Sequence, residues 1–252
     1  MVSGAQVIAQ SIQKLGIDTV FGIVGIPVVE VADALIANGV KFVAFRNEQA
    51  ASYAASIYGY LTGKPGVLLV VGGPGITHVI SGIYNANSNA WPLLVLAGSA
   101  SFDENHKGGF QELDQVSFLT PHTKFAARPF HPLQVPRLLE QAYRGAIYGV
   151  PGTTYLDLPA NIIQGNYDED VEIITAINDI QPPPEAPKLQ ADQSRVAIAA
   201  QELSRAKRPL IIVGKGAAYG NASKQLEQLI TKNRFPFLPT PMGKGVLPDD
   251  HE

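Results

Sequence analysis

Runs of consecutive hydrophobic residues alternate along the first part of the chain with segments whose hydrophobic residues recur at helical spacing. The runs predict buried strands at 19–25, 41–45, 66–73, 92–98 and 153–159. The segments between and beside them predict helices around 5–15, 28–38, 46–59, 75–87 and 133–147. Continuously apolar strands that alternate with helices are typical of a parallel sheet with helices on both faces. We therefore predict an α/β fold whose ligand site lies at the carboxyl ends of the strands, where glycine-rich loops follow.

A proline-rich stretch, DIQPPPEAPKLQADQ at 179–193, interrupts this pattern. Three consecutive prolines with scattered charges cannot pack as a helix or a strand, so the stretch indicates a surface linker. A second α/β pattern follows it but ends after about two strands, and a sheet of that size is seldom stable alone. We predict a first domain over 1–165, a linker over 166–192 and a truncated α/β domain over 193–252.

The composition narrows the possible functions. The chain of 252 residues has a formal net charge of −3 and no basic run, which argues against a nucleic-acid surface. The absence of cysteine excludes disulfides, zinc–thiolate sites and a cysteine nucleophile. His78, His106 and His122 lack metal-ligand spacing, so no metal site is predicted. With no signal peptide and no apolar run near the roughly 18 residues of a membrane span, we expect a soluble, intracellular protein.

One acidic residue, Glu48, stands at the start of a helix of small and aromatic residues, RNEQAASYAASIYG at 46–59. The segment has hardly any polar face, so it predicts a buried helix. Acidic residues are common at helix starts, where they meet the positive end of the helix dipole. Taken alone, Glu48 is therefore consistent with a helix-terminal acid without a further role.

Two glycine-containing loops are candidate ligand contacts. GGPGITH at 72–78 follows a predicted strand and opens a helix, so its backbone amides can approach a ligand. It has neither the dinucleotide-binding spacing nor the lysine of a P-loop. GGFQELDQ at 108–115 offers Phe110, Gln111 and Glu112 to a cleft. Each loop is equally consistent with an ordinary turn.

Taken together, several stretches resemble thiamine-diphosphate-dependent enzymes. They are GIDTVFGIVGIPV, RNEQAASYAASIYGYLTGKPGVLLVVGGPG, NAWPLLVLAGS, GGFQELDQ and LPTPMGKGVLPD. The resemblance runs from about residue 5 to the end of the chain and is nearest to 2-hydroxyacyl-CoA lyases, followed by oxalyl-CoA decarboxylases. It implies that the first domain binds the aminopyrimidine of the cofactor and that the segment after the linker begins a central domain.

The resemblance gives Glu48 a chemical role. In this family a glutamate at its position hydrogen-bonds N1′ of the aminopyrimidine and promotes removal of the cofactor's C2 proton. This role needs a carboxyl group that can donate a proton at neutral pH, and burial favours that form. We therefore expect Glu48 to be almost completely buried. His78 stands where many broader relatives have asparagine, which argues against a direct polar role for it.

Five further residues carry roles implied by the resemblance. Ile26 and Pro27 are expected over the thiazolium side of the cleft, and Pro74 and Gly75 along the pyrimidine pocket. Gln111 is expected near the substrate carbonyl or the reactive carbon, as a catalytic residue. A phenylalanine followed by glutamine at 110–111 favours the lyase, because the decarboxylase resemblance would suggest a tyrosine followed by an acid.

The implied reaction cleaves the C1–C2 bond of a 2-hydroxyacyl-CoA to give formyl-CoA and an aldehyde one carbon shorter, with thiamine diphosphate as the electron sink. An oxalyl-CoA decarboxylase, an enzyme like acetolactate synthase, and a non-catalytic truncated binding module are the alternatives. The family holds magnesium through a G-D-G motif and a downstream asparagine in a third domain, and neither is found in this sequence.

The chain is therefore expected to be a fragment of a longer enzyme or a natural truncation, and to be inactive alone. The resemblance implies a homodimer or homotetramer for the full-length protein, with an acyl-CoA substrate and no nucleic-acid or membrane partner. A peroxisomal and a cytoplasmic location both stay open, since a peroxisomal address would normally lie at the end of a full-length chain.

Overall fold

The computed structural model describes residues 2–167, 171–187 and 190–251. The chain divides into two compact units, Met1–Pro187 and Lys188–Glu252. Unit 1 contains the predicted first domain together with part of the predicted linker.

The strands of unit 1 are β1 (Val2–Ser3), β2 (Thr19–Gly22), β3 (Lys41–Ala44), β4 (Gly66–Val70), β5 (Leu93–Ser99), β6 (Phe125–Ala127), β7 (Thr153–Pro159) and β8 (Asn166–Tyr167). Its helices are α1 (Gly4–Lys14), α2 (Val29–Ala37), α3 (Glu48–Thr62), α4 (Pro74–Asn89), α5 (Gln115–Leu119), α6 (Val135–Ile147), α7 (Ala160–Ile163) and α8 (Val171–Asp179). Short 3-10 turns lie at Phe102–Glu104, Thr120–His122 and Pro132–Gln134.

Within the described residues, a six-stranded sheet has the order β3-β2-β4-β5-β7-β6. Every neighbouring pair in it is parallel. The short strands β1 and β8 form a separate antiparallel pair. The parallel α/β fold predicted from the sequence is confirmed. The edge strand β6 is absent from the prediction, because its apolar run of three residues is too short to be recognised as a strand.

The two faces of the sheet carry separate hydrophobic clusters, because successive side chains of a strand point to opposite sides. In β4, Val67 and Leu69 pack into one cluster with α1, α2 and α6. Leu68 and Val70 pack into the other with α3, α4 and α5. Helices therefore cover both faces, and every residue of β4 is buried.

Helix α3 is buried on one face only, so the prediction of a fully buried helix was wrong. Ala51, Ala55 and Gly59 lie on the face that is packed against the domain. On the opposite face Tyr53 and Ile57 remain 37% and 43% exposed. The small residues allow close packing on β4 and α4. Among the described residues, the packing leaves Tyr53 and Ile57 partly exposed and Leu61 mostly exposed.

The range predicted as a linker, 166–192, begins with structured residues. It contains β8 and α8, and Ile173 and Ile177 of α8 are buried in the cluster formed with α1 and α6. The three prolines at 182–184 follow this helix in an irregular segment.

Unit 2 contains β9 (Ile211–Val213), β10 (Phe237–Pro239), α9 (Gln193–Arg205), α10 (Lys215–Tyr219), α11 (Ser223–Asn233) and a 3-10 turn at Pro241–Gly243. Strands β9 and β10 form a parallel pair. Its small core consists of Val213, Ile230, Val246 and Leu247, whereas no residue of α9 is buried.

Candidate functional site

The residues singled out from the sequence lie in loops and helix starts that follow neighbouring parallel strands. Strands β3, β2, β4 and β5 are adjacent in that order. The segments after them carry, in the same order, Glu48; Ile26 and Pro27; Pro74 and Gly75; and Gln111. The carboxyl edge of an open parallel sheet is where such folds bind ligands. The fold therefore places these residues at one edge of the sheet.

Glu48 is the first residue of α3, and the residue before it caps the helix. The Asn47 side-chain oxygen accepts a hydrogen bond from the Ala50 backbone N–H at 2.9 Å. This cap satisfies one amide at the helix start and leaves the Glu48 carboxylate free for other contacts. The Glu48 side chain is 18% exposed. It is thus mostly but not almost completely buried, because the surface of α3 beside it is uncovered.

His78 makes a polar contact that the sequence did not indicate. His78 lies in the second turn of α4, and its Nδ1 is 3.0 Å from Glu48 Oε2. The imidazole itself is 60% exposed. Glu48 Oε1 has no hydrogen-bond partner among the residues that the structure describes. One carboxylate oxygen is therefore held by the protein, and the other can accept from or donate to a ligand.

The loop between β4 and α4 is shaped by Gly73. Its φ is +53°, a left-handed conformation that favours glycine. A Cβ at this position would lie 2.7 Å from the Gln111 carbonyl oxygen, closer than real side chains approach. Gly73 therefore lets the backbone of Gln111 pack directly on the loop that leads to Pro74 and Gly75.

Gln111 lies in a loop that is ordered by the next residue. Its own φ is +57°. The Glu112 carboxylate accepts backbone hydrogen bonds from His106, from Gly108 at 2.9 Å and from Gly109 at 3.1 Å. These amides, led by that of His106, favour the charged form and lower the pKa of Glu112. The loop that carries Gln111 is thus tied to a carboxylate that is ionised at neutral pH.

The buried side chain of Gln115 supports the site through hydrogen bonds. The sequence alone did not indicate this role of Gln115. Its buried side chain accepts a hydrogen bond from the Gly73 backbone N–H at 2.8 Å. Its Nε2 lies 3.1 Å from the Gly98 carbonyl oxygen, 2.9 Å from the Tyr155 hydroxyl and 2.6 Å from Asp157 Oδ1. Gln115 therefore joins the loop after β4 and the end of strand β5 to strand β7.

Asp157 is the centre of this buried network. It is fully buried, pairs with Arg128, and accepts hydrogen bonds from Ser99 at 3.0 Å and Tyr155 at 2.8 Å. Burial, with the neighbouring Asp157 charge, raises the pKa of Tyr155 well above its usual value, so its hydroxyl stays a donor. The charged residue within the apolar run TTYLDLP is the sequence signal that could have located the network.

Ile26 and Pro27 follow β2 at the same edge. Pro27 is buried, and a Cβ at Gly98 would lie 2.6 Å from its Cδ. Ile26 is 70% exposed. The structure thus leaves Ile26 open to a ligand or a further chain segment, while Pro27 packs on the end of β5 at Gly98.

The parallel sheet and the loops at its carboxyl edge are typical of a ligand-binding α/β domain. Comparison with known proteins gives its family. The N-terminal TPP binding domain of thiamine pyrophosphate (thiamine diphosphate) enzymes matches residues 2–118. The central domain of the same enzymes matches residues 196–252. The chain belongs to the thiamine pyrophosphate enzymes.

Similar curated proteins include 2-hydroxyacyl-CoA lyases. The chain is 48% identical over 250 residues to 2-hydroxyacyl-CoA lyase 1 of Homo sapiens, covering 99% of this chain and 42% of the relative. The chain is also 48% identical to 2-hydroxyacyl-CoA lyase of Saccharomyces cerevisiae, and the match covers 98% of this chain and 44% of the relative. Oxalyl-CoA decarboxylase of Escherichia coli is 39% identical, covering 100% and 44%. The chain thus spans less than half the length of these relatives.

The side chains at the edge fit the pyrimidine end of thiamine diphosphate. Among the described residues, one carboxylate oxygen of Glu48 has no hydrogen-bond partner, and it lies beside a loop that Gly73 brings close to Gln111. In the described ranges, no group of three or more histidine, aspartate or glutamate side chains could hold a metal ion. None of the helices described is long and apolar enough to cross a membrane.

Proposed function

We propose that the protein to which this chain belongs is a thiamine-diphosphate-dependent 2-hydroxyacyl-CoA lyase. It would cleave a 2-hydroxyacyl-CoA into formyl-CoA and an aldehyde one carbon shorter. The observation that supports this most is Glu48 at the carboxyl edge of the sheet, where one carboxylate oxygen contacts His78 and the other has no partner within the described part of the chain. The relatives named as lyases at 48% identity support the substrate class.

Within this proposal the bound cofactor would supply a nucleophilic carbon for the substrate carbonyl and a cationic ring that accepts the electron pair of the broken C1–C2 bond. Glu48 hydrogen-bonds the ring nitrogen of the aminopyrimidine and exchanges a proton with it through Oε1. Pro74 and Gly75 line the pyrimidine pocket. Ile26 and Pro27 shield the thiazolium side from water, which strengthens polar interactions there.

Gln111 is proposed to contact the substrate carbonyl. Its backbone is fixed on both sides, by packing on Gly73 and by the Glu112 carboxylate in the next position. Phe110, which precedes it, is 75% exposed and can cover an acyl chain. A neutral amide at 111 suits a hydroxyacyl substrate better than the acid that the decarboxylase resemblance suggests.

The proposal is tested by incubating the whole protein with thiamine diphosphate, magnesium and a 2-hydroxyacyl-CoA, and quantifying formyl-CoA and the aldehyde. Equal amounts of both products are expected, and none without the cofactor. Carbon dioxide release from oxalyl-CoA without lyase activity would instead favour the oxalyl-CoA decarboxylase, to which the chain is 39% identical.

Magnesium and self-association also belong to this proposal. We propose that magnesium and the diphosphate are held by residues outside this chain, because the described carboxylates and imidazoles form no ligand cluster. We further propose that the whole protein forms a homodimer or homotetramer. An apolar face on α3 and α4, formed by Tyr53, Ile57, Leu61 and Tyr84, is exposed and supports such an assembly.

A peroxisomal or cytoplasmic location stays a prediction. Fluorescence microscopy of the whole protein, tagged at its N-terminus so that a C-terminal address stays free, would test it.

A further inference from the structure

We infer that His78 is a positioning residue for Glu48: its Nδ1–H holds Oε2 of the carboxylate, so that Oε1 is kept directed toward the ligand. This inference rests on the proposed function of Glu48 and adds to it a second residue, on a different helix. The contact that carries it is the 3.0 Å approach of Nδ1 to Oε2.

The two helix starts hold these side chains in a fixed relation. Glu48 begins α3 behind the Asn47 cap. His78 lies one turn into α4, where Ile76 and Val79 on either side of it are fully buried. The backbone of His78 is therefore anchored although its ring is exposed. A contact between two anchored helix starts limits rotation of the Glu48 carboxylate about its last side-chain bond.

A histidine–carboxylate pair whose imidazole is exposed contributes little to stability, because solvent screens the interaction. If the pair were only structural, breaking it would leave proton transfer by Glu48 unchanged. A positioning contact would act differently, because proton transfer depends strongly on the orientation of the acid. Measuring both the stability and the proton transfer of a variant therefore distinguishes a structural role of His78 from a positioning role.

The chain allows a matched set of variants. His78→Leu removes the imidazole N–H donor and replaces the ring by an apolar side chain of moderate size. His78→Asn restores an N–H donor, because the asparagine Nδ2 is as many bonds from the backbone as the histidine Nδ1. Ser81→Ala, on an exposed position one turn further along α4, controls for a change on the same helix.

The first measurement is made on the whole protein without cofactor. Imidazole ¹⁵N shifts of His78, assigned with His78→Asn, are recorded at about pH 8.5, above the ordinary histidine pKa. We expect the proton on Nδ1 in the parent and on Nε2 in Glu48→Ala, where the acceptor is lost. A parent His78 that carries its proton on Nε2 would overturn the inference.

The second measurement is exchange of the C2 proton of bound thiamine diphosphate. We expect His78→Leu to slow the exchange about tenfold, and His78→Asn and Ser81→Ala to stay within about twofold of the parent. An unchanged rate in His78→Leu, together with slow exchange in Glu48→Gln, would overturn the role of His78 alone. An unchanged rate in Glu48→Gln would overturn the proposed role of Glu48 itself.

Discussion

Single polar side chains determine how this edge of the sheet is built. Asn47 caps the helix that Glu48 begins, and His78 takes one oxygen of the Glu48 carboxylate. Gln115 ties the glycine loop to a buried aspartate. Each contact satisfies a group that would otherwise be left free or buried without a partner, which is costly in a protein interior.

Replacing Gln115 by methionine should destabilise unit 1. The substitution removes the acceptor of the Gly73 N–H and the donor to the Gly98 carbonyl and the Asp157 carboxylate. All three hydrogen bonds are buried. We expect the free energy of unfolding to fall by about 2 kcal/mol or more.

Urea unfolding of the 252-residue chain, followed by fluorescence of its single tryptophan, Trp91 in unit 1, measures this change. Gln141→Met, on an exposed position of α6, is the control and should stay within about 0.5 kcal/mol of the parent. Equal stability of Gln115→Met and the control would contradict a supporting role for the buried amide.

Helices and strands with long apolar patterns could be predicted from the sequence, often to within one or two residues. The run predicted as a strand at 66–73 is β4 over Gly66–Val70, because its last residues turn into the glycine loop. Strand β6 and helix α8 were not predicted, since one is very short and the other stands next to the proline stretch. A strand of three residues such as β6 depends on tertiary packing.

The candidate site was predictable only in part. Glu48 and the loop glycines lie in recognisable local patterns. Gln115 and Asp157 contact one another across 42 positions, and Glu48 and His78 across 30, so no local pattern reveals these pairs. The exposed face of α3 was missed for a related reason, because its composition does not show what covers it.

The packing of α3 on α4 depends on Gly82. A Cβ at this position would lie 1.9 Å from Ser52 Oγ and 2.5 Å from Ser52 Cβ. Gly82→Ala should therefore destabilise unit 1 by about 1–3 kcal/mol through overpacking. On an uncrowded helix the same change would stabilise by up to about 1 kcal/mol.

The double variant Ser52→Gly/Gly82→Ala provides the matched test. Removing the Ser52 side chain should recover part of the stability lost in Gly82→Ala, measured by the same urea unfolding. Ser81→Ala, its exposed neighbour, should have little effect. A stabilising Gly82→Ala would show that the two helices can move apart without cost.

At the scale of the whole molecule, the exposed apolar residues of α3 and α4 predict that another protein surface packs against them. Tyr53, Ile57 and Leu61 recur every four residues along α3 and so lie on one side of the helix. Leu61 is 74% exposed and Tyr84 of α4 is 68% exposed. A helix face of this kind is typical of a contact with another chain or domain.

Leu61→Asp in the whole protein tests this assignment. Burying an unpaired carboxylate in an interface costs more than 1.4 kcal/mol, so the dissociation constant for self-association should rise at least about tenfold. Sedimentation velocity over a range of concentrations measures it. Val150→Asp, at an apolar residue with similar exposure of 73% in a loop, is the control. Equal self-association in both variants would place the interface elsewhere.

The central claim is that Glu48 exchanges a proton with bound thiamine diphosphate. Glu48→Gln keeps the size of the side chain and its place at the helix start but cannot donate or accept that proton. The most direct measurement is the exchange rate of the cofactor's C2 proton in the whole protein. We predict at least about a 10²-fold slower rate in Glu48→Gln than in the parent. An unchanged rate would show that Glu48 is only a helix-terminal acid.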